Sequence, residues 1–305
     1  MKINNVSRYI FLSIIVLLFV KCNNNPNENN KADIGIDMVK LNSERPNLNI
    51  SILFDLSDRI DPNTHTNSTM EYYQRDIGYV SSISKAYLAH IMNKKVRNIN
   101  DRIQIYFDPM PANPAINQIA NKLKVDLNKD NITKDKLVQI KDNYEVLIEN
   151  IYDLAINANS FPGSNIWGFF RNKVKSYCIR EGYRNVIIIL TDGYIYHDNA
   201  AFIEGNRSSY LTPNLIRQNN LNNSNWDTRI KQEDFGFIKA NSDLKNLEVL
   251  VIGLNPKADS PYDADIIKEY WSKWLDEMGV QIYEFKMTDL PSNLDESISE
   301  FIWNE

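Results

Sequence analysis

From residue 48 onward the chain alternates between short continuous apolar runs and longer stretches in which apolar residues recur every three or four positions. Residues 49–54, Asn-Ile-Ser-Ile-Leu-Phe, close on Asp55 and have the pattern of a strand. Residues 71–93 place Tyr73, Ile77, Val80, Ile83, Tyr87 and Ile91 on one helical face. A second strand is predicted at 102–107, ending in Asp108-Pro109, and a long helix at 134–158 carrying Leu137, Ile140, Tyr144, Leu147, Ile151 and Leu154. A further helix follows at 165–180. Residues 186–190 are an uninterrupted run of Val, Ile and Leu, as expected of a strand buried on both faces of a parallel sheet. Strand 247–254 comes next. Ser260-Pro261 then opens a helix with Ile267, Tyr270, Trp271, Trp274 and Met278 inward, and Gly279 closes it. Strand 280–285 and helix 292–303 complete the series. Residues 118–128 fit either a helix continuing from Pro114 or an antiparallel edge strand.

Such alternation predicts an α/β fold: a doubly wound, mostly parallel sheet with helices on both faces. The length of 305 residues and a composition 43% hydrophobic and 24% charged suit a folded chain with a substantial core. No internal repeat and no second linker interrupts residues 48–305, so one enlarged domain is expected there, with an insertion at about 194–245.

The amino-terminal segment reads as an address. Lys2 and Arg8 precede an apolar stretch of 12 residues, Tyr9 to Val20, shorter than the ~20 needed to span a bilayer as a helix. Cys22 follows at once. The run Leu18-Phe19-Val20-Lys21-Cys22 resembles a bacterial lipobox, with Lys21 where a small residue is usual. The resemblance implies a signal peptide at 1–21 and acylation of Cys22, with an uncleaved signal-anchor as the alternative. Residues 22–47 are Asn-rich and nearly free of apolar groups at first, which predicts a flexible tether. The expected location is the cell envelope, extracytoplasmic and lipid-anchored, and Asn23 after the Cys favours the outer membrane.

Charge narrows the partners. Removing the segment that holds Lys2, Arg8 and Lys21 takes the formal charge from −5 to −8. So acidic a chain without a Lys/Arg run excludes nucleic acid as a natural partner. With 10 glycines and neither G-x-x-x-x-G-K-[ST] nor G-x-G-x-x-G, a phosphate-cradling loop is not expected.

In open α/β sheets, ligands sit beyond the carboxyl ends of the strands. Those ends carry Asp55-Leu56-Ser57-Asp58-Arg59, Asp108, and Thr191-Asp192-Gly193, with Phe161-Pro162-Gly163-Ser164-Asn165 leading into a helix. Carboxylates and hydroxyls converging there would suit a hard cation such as Mg²⁺ (or Mn²⁺ or Ca²⁺), which prefers oxygen donors and keeps waters. In this arrangement the chain resembles a von Willebrand factor A domain with its metal-ion-dependent adhesion site. Asp55 and Ser57 match the first positions of that family's Asp-x-Ser-x-Ser, Gly163-Ser164 its Gly-Thr loop, and Thr191-Asp192-Gly193 its Thr-Asp-Gly turn. The resemblance implies metal ligation by Asp55, Ser57, Ser164 and Asp192, and recognition of a partner carboxylate at an open coordination position. Arg59 stands where the family has its second Ser. It either pairs with the acids and replaces the cation, or points outward while Asp58, Asp61 or Asp108 supplies the missing oxygen.

Three functional classes follow. The favoured one is a membrane-tethered module, not an enzyme, that binds a protein partner through an acidic side chain. A metal-dependent phosphoryl hydrolase using Asp55 is the alternative, weakened because the second Asp of the haloacid-dehalogenase-like pattern is Ser57 here. A structural envelope lipoprotein with a degenerate site is the third. The aromatic-rich insertion, with Tyr194, Tyr196, Tyr210, Trp226 and Phe235, forms either its own small core or a cap above the site. His197 and His65 read as surface loop residues and His90 as a packing residue. Cys178, spaced by fours from Val174 and Phe170, reads as a buried thiol.

Overall fold

A computed structural model describes residues 45–257 and 260–303. The signal peptide, Cys22 and most of the tether lie outside the described residues. In chain order the elements are β1 (Leu48–Phe54), α1 (Tyr72–Met92), β2 (Asn100–Phe107), α2 (Pro114–Leu123), β3 (Val125–Asn128), α3 (Lys134–Asn157), α4 (Ile166–Asn172), α5 (Val174–Cys178) and β4 (Arg184–Leu190). They continue with β5 (Ile203–Glu204), β6 (Arg207–Ser208), α6 (Pro213–Gln218), α7 (Trp226–Gln232), β7 (Gly236–Phe237), β8 (Leu247–Leu254), α8 (Asp263–Met278), β9 (Ile282–Met287) and α9 (Pro291–Trp303).

The result is a mixed α/β fold around a mostly parallel central sheet. Its strand order is β3-β2-β1-β4-β8-β9, and β3, on the edge, is the antiparallel member. Residues 118–128 therefore hold both candidate structures in succession, the end of α2 and then the edge strand. Side-chain alternation along each strand divides the core in two. Ile50, Ile52 and Phe54 of β1 and Val186, Ile188 and Leu190 of β4 pack with residues of α1, α2, α3 and α9. Leu53, Ile187 and Ile189 face the other way, against α4, α5 and α8. A central strand apolar at every position is stable only when both faces are covered, which is what the 186–190 run encodes.

The helix expected at 165–180 is two short ones. The chain breaks at Lys173, with φ −124° and ψ −34°, and the Lys173 ammonium reaches Asp108 at 2.9 Å. At the far end of α8, Gly279 takes φ +87°, the left-handed cap that a side chain disfavours.

Segment 194–245 carries β5–β7, α6 and α7, and packs on the main body rather than around a core of its own. Phe237 lies against Tyr270 and Trp274 of α8, ring centroids 5.5 and 5.3 Å apart. Arg207 donates to Asp234 and to Glu277 of α8 at 2.6–3.0 Å. Residues just before β1 are fastened as well. Lys94 donates to Asn47 Oδ1 (2.9 Å) and Asp101 Oδ2 (2.7 Å), and His90 Nε2 lies 3.1 Å from the Pro46 carbonyl.

Candidate functional site

Parallel strands bring their carboxyl ends to one edge of the sheet, so Asp55, Asp108 and Thr191-Asp192 arrive together from distant parts of the sequence. The β1 and β4 ends are tied directly: Asp55 N donates to Leu190 O (3.1 Å), and Thr191 N to Ile252 O of β8 (3.1 Å). Thr191 Oγ1 then donates to Asp55 Oδ2 (2.7 Å), and Ser57 N to Asp55 Oδ1 (2.9 Å). Asp55 is buried, with each oxygen already bonded. It acts as the keystone of the turn.

Arg59 turns inward. Its Nη2 donates to Asp76 Oδ2 of α1 (2.6 Å) and to Leu190 O (2.9 Å), while Nε donates to Asp55 O (3.1 Å) and sits 3.7 Å from Asp55 Oδ2. Tyr152 of α3 donates to the same Asp76 oxygen at 2.9 Å. Burial alone would lower the Arg59 guanidinium, yet the charges of Asp76 and Asp55 carry it above its ordinary value, so it stays protonated.

Ser57, Ser164 and Asp192 line one crevice of about 570 Å³, with Asp58, Tyr196 and Lys257 on its walls. The Ser164 loop is held by the insertion: Ser164 N donates to Tyr196 O (2.7 Å), and His197 Nδ1 donates to Pro162 O (2.8 Å). Gly163 makes this possible. Its φ is +84°, and a Cβ there would lie 2.3 Å from Tyr196 O. Ser164 Oγ is buried and has no hydrogen-bond partner. Asp192 Oδ1 accepts from Tyr194 N (3.0 Å), and among the described residues no basic side chain forms an ion pair with Asp192. Burial pushes its carboxyl up to about 7, and the Asp55 charge adds to the rise while Arg59 opposes it.

The structure thus gathers Ser57, Ser164 and Asp192 around a shared space and sets Asp55 behind them. Asp58 reaches the crevice but is exposed, with His65 Nε2 3.5 Å away. Asp61 caps its own turn through Asn63 N and Thr64 Oγ1. Asp108 lies across the 161–165 loop, bonded to Asn165 Nδ2 (3.2 Å) and Lys173. Sequence reading did not anticipate Asp76, Tyr152 or Lys257. The signal for Asp76 was a carboxylate among apolar positions at helical spacing, beside Tyr79, Val80 and Ile83.

Among the described residues, no group of three or more His, Cys, Asp or Glu side chains could hold a metal ion. A site here would therefore depend on hydroxyls and water alongside one carboxylate. Asp55, enclosed and doubly bonded, offers little access for in-line attack on a phosphorus centre.

No family model matches the chain, and no curated protein matches it. Among solved structures, it is similar to the pilus adhesin SpaC from Lactobacillus rhamnosus GG in its open conformation, at 12% identity and a TM-score of 0.36. That likeness covers 88% of this chain and 30% of the adhesin's. A likeness of that size carries no functional argument.

Proposed function

We propose that the chain is a lipid-tethered, extracytoplasmic binding module of the von Willebrand factor A type. Its sheet is read as doubly wound, and it recognises a protein partner through an acidic side chain at a Mg²⁺-type site of Ser57, Ser164 and Asp192 backed by Asp55. Support for the fold reading comes from the strand order β3-β2-β1-β4-β8-β9 with helices on both faces. Support for location rests on the sequence around Cys22.

The observation that carries the site is the orphaned Ser164 Oγ, buried on the wall of the crevice that Ser57 and Asp192 also line. An unsatisfied buried hydroxyl costs roughly 1–3 kcal/mol, and ligation would remove that cost. The donor set fits a hard cation: two hydroxyls and one carboxylate, with water completing the shell as Mg²⁺ permits. Arg59 is fully engaged with Asp76, Leu190 and the Asp55 carbonyl, and occupies the position of the family's second hydroxyl. The bound ion would supply a Lewis-acid contact for the partner's carboxylate. The chain's residues do the rest: Thr191 and Ser57 N hold Asp55, Asp55 and Arg59 set the local charge, and Tyr196 O fixes the Ser164 loop.

Calorimetric titration of Mg²⁺ into the wild type and Asp192→Ala tests this reading. Saturable binding to the wild type, lost in the variant, is expected. Absence of binding to the wild type would mean that Arg59 has replaced the cation and that the domain is the metal-free, structural alternative.

A further inference from the structure

The loop that carries Ser164 has a second side. Across Pro162 and Gly163 from the polar crevice lies a hollow of about 170 Å³, lined by Phe54, Phe107, Met110, Ile116 and Ala155. Pro162 and Gly163 border both spaces. We infer that this hollow is a side-chain subsite that takes one large apolar residue of the partner, placed next to the acidic residue that engages Ser164 and Asp192. The inference rests on the reading of the site given above.

Size is the first support. An apolar cavity of ~150 Å³ takes up benzene, so this hollow matches one aromatic or branched aliphatic side chain. Its floor is rigid, because Phe54 packs edge-on against Phe107 and stacked on Tyr152, both at 5.7 Å between centroids. Its rim is adaptable: Met110 is 68% exposed, and an unbranched thioether moulds to its contacts. Left uncovered, Met110 and Leu56 add apolar surface beside a polar site, and a partner residue there would bury it.

Charge is the second support. Asp108 borders the hollow, and an acidic peptide would ordinarily be repelled by it. Lys173 neutralises that carboxylate at 2.9 Å, and Asn165 donates to it at 3.2 Å. Reach is the third. Residues i and i+2 of an extended peptide point to the same side and lie ~7 Å apart, and the two spaces are neighbours that share Pro162 and Gly163. The partner chemistry is therefore an extended segment with Asp or Glu two positions from Phe, Leu, Ile or Met.

The test is methyl NMR of the full chain with two probes, N-acetyl-phenylalaninamide and N-acetyl-aspartyl-alanyl-phenylalaninamide, the latter with and without Mg²⁺. Saturable shifts of the Met110 and Ile116 methyl groups are expected with both. The acidic probe should bind about tenfold more tightly in Mg²⁺, equivalent to ~1.4 kcal/mol. Ile116→Trp should abolish the shift of the Met110 methyl by filling the hollow. Met110→Asp, at an exposed position where folding is not at stake, should weaken both probes as read at the Ile116 methyl groups. If Mg²⁺ enhances the acidic probe while Met110 and Ile116 stay unmoved, the subsite is overturned and the metal reading survives. If both methyls shift but the acid and Mg²⁺ add nothing, the joint occupancy inferred here fails together with the metal reading.

Discussion

The Arg59 guanidinium donates to the Asp76 carboxylate at 2.6 Å, and both side chains are buried beneath the carboxyl end of the sheet. The pair links the β1 turn to α1, and Tyr152 extends it to α3. Removing one partner leaves the other charged and enclosed. Arg59→Ala is therefore expected to lower stability by ~3–5 kcal/mol, with Arg59→Lys falling between, since an ammonium cannot reproduce the fork. Urea denaturation of the three proteins measures this. A loss below ~1 kcal/mol would mean that the pair is not the structural tie described.

Restoring a hydroxyl should favour the cation once the buried charge is balanced. Arg59→Ser combined with Asp76→Asn is expected to bind Mg²⁺ more tightly than the wild type, by calorimetry. Equal or weaker binding would indicate that Arg59 does not compete for the site.

Gly163→Ala should separate the loop from the rest of the fold. The φ of +84° and the Tyr196 carbonyl at 2.3 Å from a Cβ force the loop to shift. The expected cost is above ~1 kcal/mol, the usual scale of a Gly→Ala change where the native backbone is incompatible. Ser164 N should lose its bond to Tyr196 O, visible as faster amide exchange at Ser164, with amides of β1 and β4 unchanged.

Acid sensitivity should trace to Asp101. Burial would raise this carboxyl, but bonds from His90, Leu48 N and Lys94 outweigh it and hold it below the usual carboxylate range. Its contribution is present above the unfolded value of ~3.9 and is lost as pH falls through the lower folded value. Asp101→Asn should be less stable than the wild type at pH 7 by ~3–5 kcal/mol, because Lys94 is left buried without its anion. Denaturation curves measured at decreasing pH below ~4 should show that difference shrinking. A constant difference would contradict the assignment.

Cys178 should be inert in the native protein. Burial pushes its thiol up to about 12, so almost no thiolate exists near neutral pH. Peptide mapping after treatment with a thiol reagent should find it unmodified until denaturant is added; modification under native conditions would show that α5 opens readily.

Much of this architecture is written in local pattern. The 186–190 run, the alternating faces of β1 and the glycine that ends α8 are each encoded within a few residues, because strand period and left-handed caps are local physics. The motif positions were also visible, Asp55, Ser57 and Asp192 just past strand ends and Ser164 in a loop leading into a helix. What the pattern could not supply is pairing across distance. Asp76 lies 17 residues from Arg59, and Tyr152 a further 76 away, so nothing local shows that Arg59 and Tyr152 donate to one Asp76 oxygen. The inward turn of Arg59 follows from that trio. Likewise Phe237 carries no local sign that it would pack on Trp274 while Tyr196 and Tyr210 pack on each other, and nothing near Lys173 shows that it pairs with the distant Asp108.

The most direct measurement of the site is paramagnetic broadening of backbone amide signals by substoichiometric Mn²⁺. The amides of Ser57, Ser164 and Asp192 should broaden first, excess Mg²⁺ should reverse the effect, and Ser164→Ala should weaken it at least tenfold in Mn²⁺ concentration. Broadening centred on surface carboxylates elsewhere, or unchanged by Ser164→Ala, would contradict a cation site at the carboxyl ends of β1 and β4.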